Sequence, residues 1–337
     1  MTKLFGSALK LPGSGEVNKC FYPLRLDTYG CGCEHDCLYC YAKSVLDFRG
    51  LWGEASVAYT GKIIRQMERA LSGKGSSEID TLIRRRVPVR LGGMTDCFQR
   101  ETETRFGATK RVLQELNALR YPYLILTKSS LIEEYGALID PELAYVQFSI
   151  TTPHEDVAAV YEPGASTVAD RFAALKTLSD AGVYTAVRIN PLFPQWADGH
   201  LASGVESEPF RYYDDSLVGM CADAGVGTII AGFVRLSAPN LRWIKEATGE
   251  DLRWLFDPEQ KASNQALHFS AAEKAIYYER IKRLCDDAGM AFSVCYDGDD
   301  AYRTFHHLWA DPLDCCNGRT NVPAFGSTYR AFHEEGK

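Results

Sequence analysis

Residues 31–40 read CGCEHDCLYC, four cysteines in ten positions. Cys33, Cys37 and Cys40 are spaced C-x3-C-x2-C, with Cys31 two places upstream. Three thiolates on one loop reach three corners of a cuboidal iron–sulfur cluster and leave the fourth iron to another ligand. A cluster held wholly by protein takes four cysteines. The loop therefore implies either a further partner, Cys31 being the nearest, or an exchangeable iron. Structural zinc is the rival reading. It usually joins two C-x2-4-C pairs separated by a longer segment, and the adjacent cysteines Cys315 and Cys316 make a poor distant pair.

Around this loop the chain alternates between strand-like and helix-like stretches, the pattern of βα units on a parallel sheet. YPLRLDTYG (22–30) is a candidate first strand that ends at the cysteines. The next strands are VPVRLGG (87–93), PYLILTK (122–128), AYVQFSITT (144–152), YTAVRINPLFP (184–194) and VGTIIAGFVRL (226–236). Helical spacing between them marks VAYTGKIIRQMERALSG, ending at Gly73, ETRFGATKRVLQELNAL, the short LIEEYGALI, VADRFAALKTLSDAG, closed by Gly182, and YYDDSLVGMCADAG. Six such units across about residues 24–235 predict an α/β fold, a partial (β/α)6 TIM-type barrel. Residues 1–23 form an N-terminal segment. Residues 236–337 form an α-rich C-terminal extension with one short strand, AFSVCY, expected to cover the barrel or shape a substrate site. Barrel chemistry gathers at the carboxyl ends of strands. The unusual residues stand there: Cys33 to Cys40, Gly92-Gly93, Lys128, Ser149, and Arg188 to Asn190.

At 337 residues and 46% apolar composition the chain suffices for one large barrel. No run approaches the ~20 apolar residues of a membrane span, and the N-terminus lacks a secretory pattern. A cytoplasmic location without membrane contact is expected. Eleven cysteines in a reducing compartment then favour metal or redox use over disulfides. A net charge of −7 argues against loose, charge-driven binding to nucleic acid, though not against a local basic groove. The run IRRRVPVR, with Arg84, Arg85, Arg86 and Arg90, reads as a solvated face or a strand entry.

CEHDCLYCYAK (33–43) resembles the C-x3-C-x-aromatic-C signature of the radical S-adenosylmethionine (radical SAM) superfamily. With GGMTD (92–96), LTKSS (126–130), QFSITT (147–152), YEPGAST (161–167) and AVRINPLFP (186–194) it is similar, in that order, to the spore photoproduct lyase-like branch over about residues 24–195. The resemblance implies a [4Fe–4S] cluster on Cys33, Cys37 and Cys40, with SAM on the open iron. It also implies reductive cleavage of SAM to a 5′-deoxyadenosyl radical, fed by a flavodoxin- or ferredoxin-type electron donor.

The resemblance further implies roles for single residues. Tyr39 covers the cluster near the adenine. Gly92, Gly93 and Thr95 take the place of the glycine-rich motif that holds the SAM amine, where a missing Cβ lets backbone carbonyls approach. The acidic end of that motif is replaced by Met94-Thr95, with Asp96 one step on. Lys128 pairs with the SAM carboxylate, and Ser149 with ribose or carboxylate. Arg188 and Asn190 hold adenine, ribose and carboxylate. A buried Arg188 needs an anionic partner: SAM, a substrate phosphate, or internally Asp96 or Glu162. Tyr41 would relay a radical.

Cys97 stands nearest to the cysteine that returns hydrogen in the lyase, but it is displaced from the aligned position, Gly93, by several residues. That departure shifts the expected reaction from repair of a thymine-dimer lesion to modification or rearrangement of a hypermodified thymine or other pyrimidine in DNA. Phe193, Trp196, Tyr212 and Tyr213 are candidates to stack on a flipped base. A peptide or small-molecule substrate, and a non-catalytic zinc or nucleic-acid-binding module, are the alternatives. Cys295, Cys315 and Cys316 in the extension are open between a second cluster, a hydrogen donor and a structural role.

Overall fold

The apolar runs become parallel strands. They are β1 (Arg25–Leu26), β2 (Val89–Leu91), β3 (Tyr123–Thr127), β4 (Ala144–Ser149), β5 (Tyr184–Leu192) and β6 (Thr228–Phe233), laid side by side in chain order. The computed structural model describes residues 4–5, 9–11, 20–194, 212–259, 266–295 and 304–326, which leaves Trp196 outside the described residues. Every position of β4 and β6 is buried, as expected of parallel strands covered on both faces. A short antiparallel strand, Leu9–Lys10, closes the β1 edge.

At the other edge β7 (Ala291–Val294) joins β6 in parallel, Thr228 opposite Ala291 through Ala231 opposite Val294. The sheet thus continues beyond residue 235 and takes a seventh parallel strand from the extension. The result is the partial TIM-type barrel with an appended C-terminal region. Among the described residues no helix is long and apolar enough to cross a membrane.

Helices pack on the outside. After α1 (Tyr41–Phe48), α2 (Thr60–Leu71) buries Ile63, Ile64, Met67 and Ala70, one stripe at helical spacing, and Gly73 beyond it takes φ +82. α3 spans Glu78–Arg84. The single helix read across ETRFGATKRVLQELNAL is two, α4 (Arg100–Phe106) and α5 (Ala108–Ala118), because Gly107 between them sits at φ +58. A left-handed residue ends one helix and cannot continue it. LIEEYGALI forms a 3₁₀ segment, Ser130–Leu138. Beyond it come α6 (Glu155–Tyr161), α7 (Val168–Asp180), α8 (Ser216–Asp223), α9 (Ala238–Thr248) and α10 (Ala271–Asp287). Of AYRTFHHLWA, the described residues Thr304 and Phe305 are helical and His306–Leu308 form a 3₁₀ turn.

The register fixes what faces the lumen. Directly opposed residues share a face, and faces alternate along a strand. Arg25 opposes Arg90, Arg90 opposes Leu124, Leu124 opposes Tyr145 and Tyr145 opposes Tyr184, one continuous row. Nearer the carboxyl ends, Ser149 opposes Arg188, and Arg188 opposes Ile230. The amino-terminal floor is plugged by residues 304–326. There the Tyr145 hydroxyl donates to the Cys316 carbonyl at 2.5 Å, and Asn317 Nδ2 donates to Tyr184 and Thr228 at 3.0 and 2.9 Å. Asp314, fully buried, accepts from the Tyr22 hydroxyl and from the backbone N–H groups of Cys316, Gly318 and Arg319.

Candidate active site

The cysteine loop lies at the carboxyl-end mouth of the barrel. Cys37 is buried, Cys33 and Cys40 half-buried. The loop turns through bonds from Asp36 N–H to Cys33 O (3.3 Å) and from Cys40 N–H to Cys37 O (3.1 Å). Cys40 caps α1, its sulfur accepting from Lys43 N–H at 3.4 Å.

Three separate elements latch the loop. From the β2 exit, Asp96 pairs with His35 Nε2 at 3.0 Å and Gln99 Oε1 accepts from Glu34 N–H at 2.9 Å. From the turn after α6, Gly164 N–H donates to His35 O, His35 Nδ1 lies 3.0 Å from Gly164 O, and Tyr161 O accepts from Leu38 N–H. A Cβ on Gly164 would stand 1.7 Å from Glu34 O, so only glycine lets the two backbones meet. From α9, Asn240 Nδ2 donates to Leu38 O and Cys40 O at 2.9 and 3.3 Å. Both partners of the His35 ring are acceptors, so both nitrogens donate. Burial opposes the imidazolium charge, but Asp96 outweighs it and the pKa is raised.

Burial pushes all three thiols up, Cys33 to about 12 with Asp96 adding to the effect. Thiolates form here only against a compensating positive charge of the kind iron supplies. Among the described residues no three Cys, His, Asp or Glu side chains converge on a single-ion position. A tetrahedral zinc with ~2.3 Å bonds needs thiolates within about 4 Å of one another. Cys31 differs from them: it takes φ +66, and its carbonyl accepts from Gly53 N–H at 2.7 Å.

Behind the loop lies a charge centre that sequence reading did not place. Glu162 is 2% exposed. Its carboxylate accepts from the Tyr39 and Thr151 hydroxyls and pairs with Arg171 at 2.5 Å and Lys128 at 3.6 Å. Burial works against this charge, yet Arg171 and then Lys128 hold the carboxyl down at about 2. Lys128 also donates to Ser149 Oγ and lies 5.5 Å from the Tyr39 ring centroid. Tyr39, Lys128 and Ser149 thus form one connected group beside the cysteines, organised by Glu162. The signal for it stood in YEPGAST, whose glutamate directly precedes Pro163 and Gly164.

The remaining candidates divide. Gly92 has φ +81, and a Cβ there would stand 2.3 Å from Leu126 O. Gly93 and Met94 N–H donate to Asp27 Oδ1, each at 3.0 Å, and Thr95 Oγ1 donates to Tyr29 O. Tyr41 donates to Gly93 O at 2.7 Å and stays 58% exposed. Gly232 makes room for Asn190, since a Cβ would lie 2.6 Å from its Nδ2.

Arg188 points toward the floor, with Gln147 Oε1 at 3.0 Å, Cys295 Sγ at 2.7 Å and Cys316 Sγ at 3.8 Å. Neither Asp96 nor Glu162 is its partner. Burial opposes its charge, and the sulfurs of Cys295 and Cys316 outweigh burial. Cys97 is sealed at 1% exposure; its carbonyl accepts from Thr109, and burial, then the Asp96 and Glu103 charges, push its thiol up. Phe193, Tyr212 and Tyr213 are buried to 2% or less, with Phe193 stacked on Tyr212 at 4.2 Å and edge-on to Tyr39 at 6.1 Å. They support the loop rather than offering a free face to a base.

No family model and no curated protein matches the sequence. Solved structures do match. Spore photoproduct lyase with dinucleoside spore photoproduct aligns at TM-score 0.62, with 16% identity over 87% of this chain and 80% of that one. A spore photoproduct lyase with bound AdoMet and dinucleoside spore photoproduct gives TM-score 0.63, with 17% identity over 87% and 81%. Streptococcus suis SuiB bound to S-adenosylmethionine gives TM-score 0.51, with 11% identity over 87% of this chain and 55% of that one. The fold is that of spore photoproduct lyase, as the ordered motifs implied.

Proposed function

We propose that this chain is a radical SAM enzyme acting on a nucleic-acid substrate. The observation that carries the reading is the three-cysteine loop, latched by three elements at the mouth of a partial barrel whose lumen presents Lys128 and Ser149 beside it. When bound, a [4Fe–4S] cluster with SAM supplies reductive homolysis to a 5′-deoxyadenosyl radical, which breaks unactivated C–H bonds that acid–base groups do not.

In this reading Cys33, Cys37 and Cys40 are the iron ligands. Lys128 offers its ammonium to the SAM carboxylate while Glu162, 3.6 Å away, orients it. Ser149 is held against Lys128 to bond ribose or carboxylate. Gly92, Gly93 and Thr95 leave backbone groups accessible to the SAM amine. Asn190 reaches ribose or adenine from β5, and Tyr39 covers the cluster. Tyr41, exposed and hydrogen-bonded to Gly93, is the residue placed for radical relay.

The favoured substrate is a modified thymine or other pyrimidine in DNA, which the enzyme alters or rearranges. The solved lyase structures that carry a dinucleoside support a nucleotide-type ligand. The sealed position of Cys97 favours modification over lesion repair through that thiol. The test is to incubate reduced, anaerobic enzyme with SAM and base-deuterated DNA, then measure deuterium in 5′-deoxyadenosine. Transfer supports the reading. Absence of transfer from any DNA, with SAM still cleaved, moves the substrate to peptides or small molecules.

A further inference from the structure

Three arginines of the barrel strands are grouped in the lumen away from Glu162. Arg25 and Arg90 oppose each other on β1 and β2, and Arg188 projects from β5. Arg90 and Arg188 are brought together, since both act on the sulfurs of Cys295 and Cys316. Among the described residues none of the three has a carboxylate within ion-pair distance. Asp27, just beyond β1, is taken up by Lys10 at 3.1 Å and by the N–H groups of Gly93 and Met94.

Two buried donor atoms here lack a hydrogen-bond acceptor, Arg25 Nε and Arg90 Nε. Buried polar groups are ordinarily satisfied, and buried guanidinium groups are costly unless paired with an anion. The Cys316 thiol is held below its ordinary value, by its bond with Cys315 first and then, against burial, by Arg188 and Arg90.

Resting on the nucleic-acid reading above, we propose that Arg25, Arg90 and Arg188, with the Gln147 amide, form an oxyanion subsite in the lumen that binds a phosphate group of the substrate. The guanidinium fork matches phosphate geometry in two parallel bonds, and a dry lumen strengthens them. The subsite reconciles a chain of net charge −7 with an anionic substrate. Recognition rests on a few cations grouped in the lumen rather than on a basic surface. The phosphate comes either from a nucleotide monoester or from a DNA diester.

The test is calorimetric binding to the full-length, anaerobically reconstituted enzyme. The probes are inorganic phosphate, thymidine, 5′-thymidylate and the dinucleotide d(TpT), measured on the wild type, Arg25→Gln, Arg90→Gln and Arg90→Lys. SAM binding and thermal melting report folding, and Arg90→Lys keeps the charge should the glutamine variants fold poorly. At least tenfold weaker binding of thymidylate or d(TpT) to Arg90→Gln is expected, with a smaller loss in Arg90→Lys and none for thymidine. Preference for thymidylate identifies a monoester, preference for d(TpT) a diester. Equal binding of every probe to wild type and variants overturns the subsite while leaving the function standing. Arg90-dependent binding of phosphate with no gain from thymine supports the subsite and removes the pyrimidine substrate.

Discussion

Glu162 joins most of the site's parts, so it is the most informative single residue. Replacing it with alanine leaves Arg171 charged and without its carboxylate partner at 1% exposure. Removing one member of a buried pair costs about 3–5 kcal/mol, to be read from urea unfolding. Glu162→Gln keeps an acceptor for Tyr39 and Thr151 and is expected to cost less. The native carboxyl titrates near 2 against an ordinary value of 4.5. A lowered pKa stabilises the fold above the unfolded value and is lost as protons bind. Wild-type stability should therefore fall by about 3 kcal/mol as pH drops from 4.5 toward 2. In Glu162→Gln that part of the slope should vanish; an unchanged slope would show that Glu162 does not govern it. The cysteine spacing and Lys128 were legible in the sequence because thiol spacing and strand-end position are local. Glu162 was named there only as a partner for Arg188, because its partners lie on β3, α7 and the cysteine loop. Arg25, flanked by Leu24 and Leu26, carries the same signal that flagged Arg188: a cation alternating with apolar neighbours.

At the scale of elements, the cysteine loop is held by its neighbours more than by itself. The contribution of α9 is one side chain, Asn240, which also completes the capping box with Ser237. Asn240→Ala should cost about 1–3 kcal/mol through the unsatisfied carbonyl of Leu38, since Cys40 O still accepts from Ser44 N–H. It should also lower the iron retained per chain after anaerobic desalting. Full iron retention with unchanged stability would remove α9 from the latch. Helix limits were legible where a glycine follows an amphipathic stripe, as at Gly73 and Gly182. Gly107 was not, since a glycine inside a helical pattern gives no sign of its φ. At +58 a Cβ is unfavourable by about 1 kcal/mol, so Gly107→Ala should destabilise by that amount in a melting experiment.

At the scale of the molecule, a seven-stranded parallel sheet leaves one end for chemistry and closes the other with its C-terminal segment. Asp314 anchors that floor. Asp314→Ala would strand three backbone N–H groups and the Tyr22 hydroxyl, at about 3 kcal/mol or more. Six strands were legible from their apolar runs. The strand in AFSVCY was visible too, but not its place beside β6, because sheet pairing is decided by contacts far apart in sequence.

The central claim is that Cys33, Cys37 and Cys40 hold the iron at which SAM is split. It is tested by measuring 5′-deoxyadenosine formed from SAM under anaerobic reduction in the wild type and in Cys33→Ala, Cys37→Ala and Cys40→Ala. The account predicts product from the wild type and none above background from each variant; wild-type yields from any one of the three would contradict it.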